Sequence, residues 1–183
     1  MKAGLLLGML VLGGCGLEAS LDRAESALEK SQLPEAEKRF RRILEKHPDS
    51  VDALYGLGWT YHLAGESSRA REFFTRCTRI APGDYRGYKG LGSIAMGEGH
   101  LVQAQERFEK ALERAPGEVS VLNSLGLLHL SAKRYEEALA LLEPLSEVEE
   151  SRGEIGLNLA EAYLRLDRLE EAKTFLAKYQ EKR

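Results

Sequence analysis

Several classes of function are excluded by what the sequence lacks. With two cysteines, Cys15 and Cys77, it cannot build a disulfide framework. Its four histidines, His47, His62, His100 and His129, form no i, i+4 pair and no HExxH, so neither a zinc site nor any other metal site is expected. Basic and acidic residues number 26 and 29 and are interspersed, without the basic stripe that nucleic acid requires. There is no GxSxG, no phosphate-cradling glycine loop and no paired-carboxylate constellation away from solvated helix faces. No apolar run approaches the roughly 20 residues that cross a bilayer as a helix. No enzyme, no cofactor, no small-molecule substrate and no nucleic-acid partner are therefore expected.

The chain does have an ordered N-terminus. Lys2 precedes an apolar stretch from Ala3 to Leu12, too short to span a membrane and of the length of a secretory signal. Leu12-Gly13-Gly14-Cys15 follows and resembles the bacterial lipobox. That resemblance implies cleavage before Cys15 and acylation at its thiol and new amine. Residues 1–14 are then a signal peptide and 15–20 a lipidated cysteine with a short tether, Ser20 capping a helix from Leu21. Gly16 after the cysteine implies sorting to the outer membrane, facing the periplasm. Stable anchoring needs more than one acyl chain, which this processing supplies.

A period of 34 organises everything after that. Windows starting at Leu17, Val51, Tyr85, Val119 and Gly153 carry Ala24, Gly58, Gly92, Gly126 and Ala160 at position 8. Position 20 is Ala36, Ala70, Ala104, Ala138 and Ala172; position 24 is Phe40, Phe74, Phe108, Leu142 and Leu176. Position 32 is Pro48, Pro82 and Pro116, then Glu150. Within Val51–Asp84, Leu54, Leu57, Gly58 and Tyr61 fall on one helical face, and Ala70, Phe74 and Cys77 form the buried stripe of a second helix. Cys77 reads as a core thiol. A glycine recurring inside a helix, at about 1 kcal/mol relative to alanine, marks a close helix–helix approach.

These positions resemble the tetratricopeptide repeat (TPR). The resemblance implies an all-α fold: a TPR α-solenoid of five helix-turn-helix repeats (17–50, 51–84, 85–118, 119–152, 153–183) in a right-handed superhelix. The last helix, from Leu169, reads as its own cap through Leu169, Ala172, Phe175, Leu176 and Tyr179. Pro144 falls inside the second helix of repeat four, where it kinks or ends that helix. The outcome is either harmless loop variation or a looser joint to repeat five.

In TPR proteins, positions 2, 5, 6, 9, 12 and 13 of the first helix face a concave groove. Carried onto this chain, they nominate Tyr55, Trp59, His62, Arg86, Lys89, Met96, Asn123, Leu127, Leu130, Leu157 and Asn158 as a partner-binding groove. Tyr55, Trp59 and His62 share one stripe, with Arg86 and Lys89 as a small basic spot beside it. The carboxylate clamp of chaperone adaptors is missing: starting from Lys89, its other positions hold Ser93, Ser124, Glu154 and Asn158. The resemblances together imply a membrane-anchored scaffold for a protein or peptide partner in the bacterial envelope. It is similar in outline to the pilotin-type TPR lipoproteins of type IV and Tad pilus or secretion systems. An adaptor that recruits or regulates a periplasmic peptidoglycan hydrolase or protease is the alternative.

Overall fold

The structure, a computed structural model, describes residues 4–147 and 152–180. Among them the only regular elements are ten α-helices and one 3-10 turn. The helices alternate as first and second members of hairpins. The first members are α1 (Gly4–Glu29), α3 (Val51–Leu63), α5 (Tyr85–Gly97), α7 (Val119–Ser131) and α9 (Arg152–Arg165). The second members are α2 (Leu33–Lys46), α4 (Ser67–Ile80), α6 (Leu101–Arg114), α8 (Tyr135–Leu142) and α10 (Leu169–Gln180). The all-α expectation and the 34-residue hairpin period hold in these elements.

Within each hairpin the turn is the same. Position 15 of every repeat adopts a left-handed backbone: Ser31 (φ 55°), Gly65 (77°), Gly99 (78°), Lys133 (59°) and Asp167 (60°). In repeat two the amide of Glu66 donates to the carbonyl of Tyr61 and that of Gly65 to His62, a Schellman closure that recurs in the other four repeats. Between hairpins, prolines 48 and 82 follow His47 and Ala81, whose carbonyls accept from Ser50 and Asp84 to close a tight turn. Polar side chains then cap the next helix. Ser50 Oγ accepts from the Ala53 amide, and Asp84 Oδ1 accepts from the Arg86 amide at 2.9 Å.

The chain divides inside α5 into two compact units, Met1–Gly90 and Leu91–Arg183. In the first, the periodic residues form the core. Ala24, Ala36, Phe40, Ala70 and Phe74 are fully buried. The glycines there have the role their spacing implies, and one more. A Cβ on Gly58 would lie 2.6 Å from Phe74 Cε1. Gly90, at position 6 of the following repeat, meets the same ring, and Gly56 likewise meets Phe40. Each phenylalanine thus sits against the first helix of the next repeat, and Phe74 also against that of its own. The second unit repeats the first contact with Gly92 on Phe108 and Gly126 on Leu142. Its last hairpins share a core of Leu139, Leu142, Leu145, Ile155, Leu159 and Tyr163.

Two expectations are revised and one, at Pro144, is met. Residues 16–20 are not an extended tether: α1 runs unbroken through them, and Ser20, instead of capping a helix from Leu21, donates its hydroxyl to the Gly16 carbonyl at 2.7 Å. Nothing in Gly-Leu-Glu-Ala-Ser breaks a helix that the preceding leucines favour. The side chain of Cys15 lies outside the described residues. Second, Pro144 ends α8 after eight residues, and the chain continues as the 3-10 turn Glu143–Glu147, with Leu145 still buried. Position 32 of that repeat, Glu150, lies outside the described residues. Third, the capping stripe of α10 is only partly covered: Ala172 is buried but Leu169 is 50% exposed, and the side chain of Tyr179 is outside the described residues.

Candidate functional site

The first unit carries an aromatic face on α3. Tyr55 and Trp59 are one helical turn apart and half-buried, with ring centroids 6.1 Å apart, edge to face. Both lean on Phe74 of α4, at 5.8 and 5.7 Å. His62 meets the far edge of Trp59 at 5.2 Å. The spacing of Tyr55, Trp59 and His62 therefore does produce one stripe. Its floor, Phe74, belongs to the repeating core and was not distinguishable from it in the sequence. Contacts of this kind contribute about 0.5–1.5 kcal/mol each beyond the area they bury, enough to hold the rings in one arrangement.

Cations cover part of this face. Arg86 lies 5.6 Å over the Tyr55 ring and Lys89 Nζ 5.7 Å over Trp59. The two do not form the expected basic spot. Arg86 is bound by two carboxylates: its guanidinium donates to Asp84 Oδ2 and to Asp52 Oδ1, both at 2.6 Å. These bonds, that to Asp84 first, raise the Arg86 pKa above its ordinary value. At Asp84 burial acts upward, but the side-chain and amide bonds from Arg86 outweigh it and hold the carboxyl below its usual range. Charge at the edge of the aromatic face is thus fixed and nearly neutral. Sequence reasoning put Asp52 at a groove position and missed its pairing with Arg86. The available signal was that Asp52 and Arg86 occupy the same repeat position, 34 residues apart.

Burial sets the protonation of the face itself. It pushes the Tyr55 phenol up to about 12 and the His62 imidazole below its ordinary value. Nδ1 of His62 is buried and has no hydrogen-bond partner among the described residues. At neutral pH the face presents a neutral phenol, an indole and a neutral imidazole. It offers apolar area with few polar handles, suited to an apolar anchor side chain.

In the second unit the nominated residues separate. Asn158 Nδ2 donates to Asn123 Oδ1 at 2.8 Å, joining α9 to α7. Leu157 is 42% exposed, and Leu127 is half-buried beside the core. Leu130 is not a groove residue: at 8% exposure it belongs to the packed core with Ala138 and Leu139. Helix α7 is apolar on more than one side, so position alone did not distinguish its core leucines from its surface ones. Met96 is half-buried at the end of α5. Cys77 is a free, buried thiol that burial pushes up to about 12, so it is inert at neutral pH. No group of three metal-capable side chains converges among the described residues.

Comparison with known proteins gives one consistent family. Tetratricopeptide repeat matches cover residues 21–85, 95–152 and 129–183. The crystal structure of TTC0263, a thermophilic TPR protein of Thermus thermophilus, is similar at a TM-score of 0.81 and 26% identity, over 90% of each chain. That of pilF from Pseudomonas aeruginosa gives 0.73 at 18% identity, over 90% of this chain and 75% of that one. YrrB, described as a TPR protein with an unusual peptide-binding site, gives 0.56 at 18%, over 87% and 82%. A curated relative, Protein CTR9 homolog of Arabidopsis thaliana, is 32% identical over 57 residues, and the chain spans only 5% of its length.

Proposed function

The chain belongs to the tetratricopeptide repeat family, and from that premise we propose that it is a membrane-anchored scaffold of the bacterial envelope whose α3 aromatic face captures a partner protein. The anchor is the lipid on Cys15, in the lipobox-like Leu12-Gly13-Gly14-Cys15. The partner is a subunit of a pilus, secretion or other outer-membrane complex that the scaffold helps to assemble. One observation carries the binding site: Tyr55 and Trp59 stay partly exposed while Phe74 and the Asp52–Arg86–Asp84 cluster hold them in place. Tyrosine and tryptophan that are already immobilised lose little freedom on binding, and such residues dominate interface energetics. The partner would present an amphipathic helix or extended segment with an apolar anchor.

Capture from native membranes tests this. Tyr55→Ala with Trp59→Ala should weaken retention of the partner about thirtyfold, the effect of losing a hot spot of about 2 kcal/mol, while far-UV circular dichroism stays unchanged. Unchanged capture by the folded double variant removes the aromatic face from the proposal. Crosslinking from the same face then identifies the class of partner. A peptidoglycan hydrolase or protease as the captured protein would replace assembly by recruitment as the role.

A further inference from the structure

The opposite charge character appears at the start of the chain. A cleft of about 610 Å³ lies between α1 and α2. Arg23, Lys38, Arg39, Arg42 and Lys46 line it, against one carboxylate, Glu35. Only Arg39 is neutralised, by Glu35 at 2.7 Å. Arg23, Lys38, Arg42 and Lys46 are exposed and make no ion pair among the described residues. The cleft thus carries a net of four positive charges in a chain whose total is −3. Lys38, Arg42 and Lys46 recur at i, i+4 and i+8, so α2 directs them along one side. Glu18, Asp22, Glu29 and Glu45 of these helices do not line the cleft. Glu37 is tied to Tyr61 and Arg41, and Glu25 is placed toward Asp52.

We infer that this cleft is a docking surface for the headgroups of anionic phospholipids, setting the first repeat down on the bilayer. The occupant follows from charge and from place in the chain. Gly16 and Leu17 form one end of the cleft wall, immediately after Cys15, and Arg23 stands eight residues further along the same helix. Eight residues of helix are about 12 Å, close to the roughly 8–10 Å over which charge is felt at physiological salt. The placement rests on the lipid anchor at Cys15 proposed above. Without an extended tether at 16–20, the face of the first repeat nearest Cys15 is the one set toward the membrane.

Vesicle sedimentation of the processed chain, residues 15–183 carrying Cys15→Ser, tests the cleft without the acyl chains and without the apolar leader. Vesicles of phosphatidylcholine containing phosphatidylglycerol should bind at least a hundredfold better than phosphatidylcholine alone. High salt should remove that excess. The quadruple variant R23Q/K38Q/R42Q/K46Q should remove it too, at about fivefold per charge. Because salt and lipid composition are varied on the parent chain, the result does not depend on the variant folding. An excess that survives the four substitutions in folded protein, or equal binding to both vesicles, overturns the inference. Competition by polyglutamate as tight as the vesicles also overturns it, in favour of an acidic protein segment. The anchor is judged separately, by whether the unsubstituted chain stays in cell membranes through a high-salt wash. Release there would sink the anchor and leave the vesicle result standing.

Discussion

A methyl group has no room at Gly58. Its Cβ would lie 2.6 Å from Phe74 Cε1, whereas at Gly97, the last residue of α5, nothing lies within 4 Å. The two glycines have the same intrinsic cost in a helix, about 1 kcal/mol relative to alanine, so only packing separates them. Gly58→Ala should gain that propensity and lose about 1–3 kcal/mol to overpacking, for a net destabilisation of about 1 kcal/mol. Gly97→Ala should instead stabilise by about 0.4–1 kcal/mol. Urea midpoints of the two variants check the pair. The role of Gly58 was legible in the sequence because it recurs in phase with phenylalanine. That of Gly56 was not: its repeat position is one that faces a groove in TPR proteins, yet it is buried against Phe40. Glycine recurs at that position only at Gly90, while Asp22, Ser124 and Asn158 hold the other repeats, so the recurrence was too short to mark it.

At the scale of elements, the hairpin turn is more regular than its sequence. Gly65 and Gly99 suit a left-handed residue, but Ser31, Lys133 and Asp167 adopt the same conformation with side chains that disfavour it. The five Schellman closures require it, and the backbone bonds they form outweigh the local penalty. Lys133→Gly should therefore raise stability by about 0.5–1 kcal/mol, read as a shift in the urea midpoint with no change in slope. Lys133→Ala, which keeps the strain, should leave the midpoint within a few tenths of a kcal/mol. Pro144 shows the reverse relation. A single residue announced the end of α8, and the structure ends it there. What the sequence did not announce is that the 3-10 turn keeps Leu145 in the core, since a helical stripe cannot be extrapolated through a change of pitch.

For the molecule as a whole, the ionisable groups give stability a direction in pH. Burial lowers the pKa of His62 and, with Arg134 beside it, that of His129. Groups held neutral in the native state bind fewer protons there than when unfolded. Stability is therefore full above their ordinary value of 6.5 and declines as pH falls through it. The depressed Asp84 adds a second loss at lower pH: its contribution is present above the ordinary 3.8 and disappears as pH drops through its native value. Thermal midpoints should be level from neutral pH to about 9, above which the buried Cys77 thiol and Tyr55 phenol, raised to about 12 in the native state, favour the unfolded chain, and should fall in two stages below neutral. Substituting both histidines with glutamine should flatten the first stage and leave the second. A first stage unchanged in that variant would place the loss elsewhere.

The phenylalanine at position 24 makes the period of 34 a poor guide to where the chain can be cut. Phe74 belongs by sequence to Val51–Asp84, yet one side of its ring is received by Gly90, in the following window. Phe40 is likewise received by Gly56. A repeat excised at its sequence boundary takes the ring with it and leaves the socket behind. Duplication or exchange of repeats, in evolution or in engineering, thus has to match a pair of residues across each join. At the first two joins a glycine socket receives the phenylalanine, at the third Ser124 follows Phe108, and at the fourth Asn158 follows the smaller Leu142. Compatibility between neighbours is written in two residues sixteen apart.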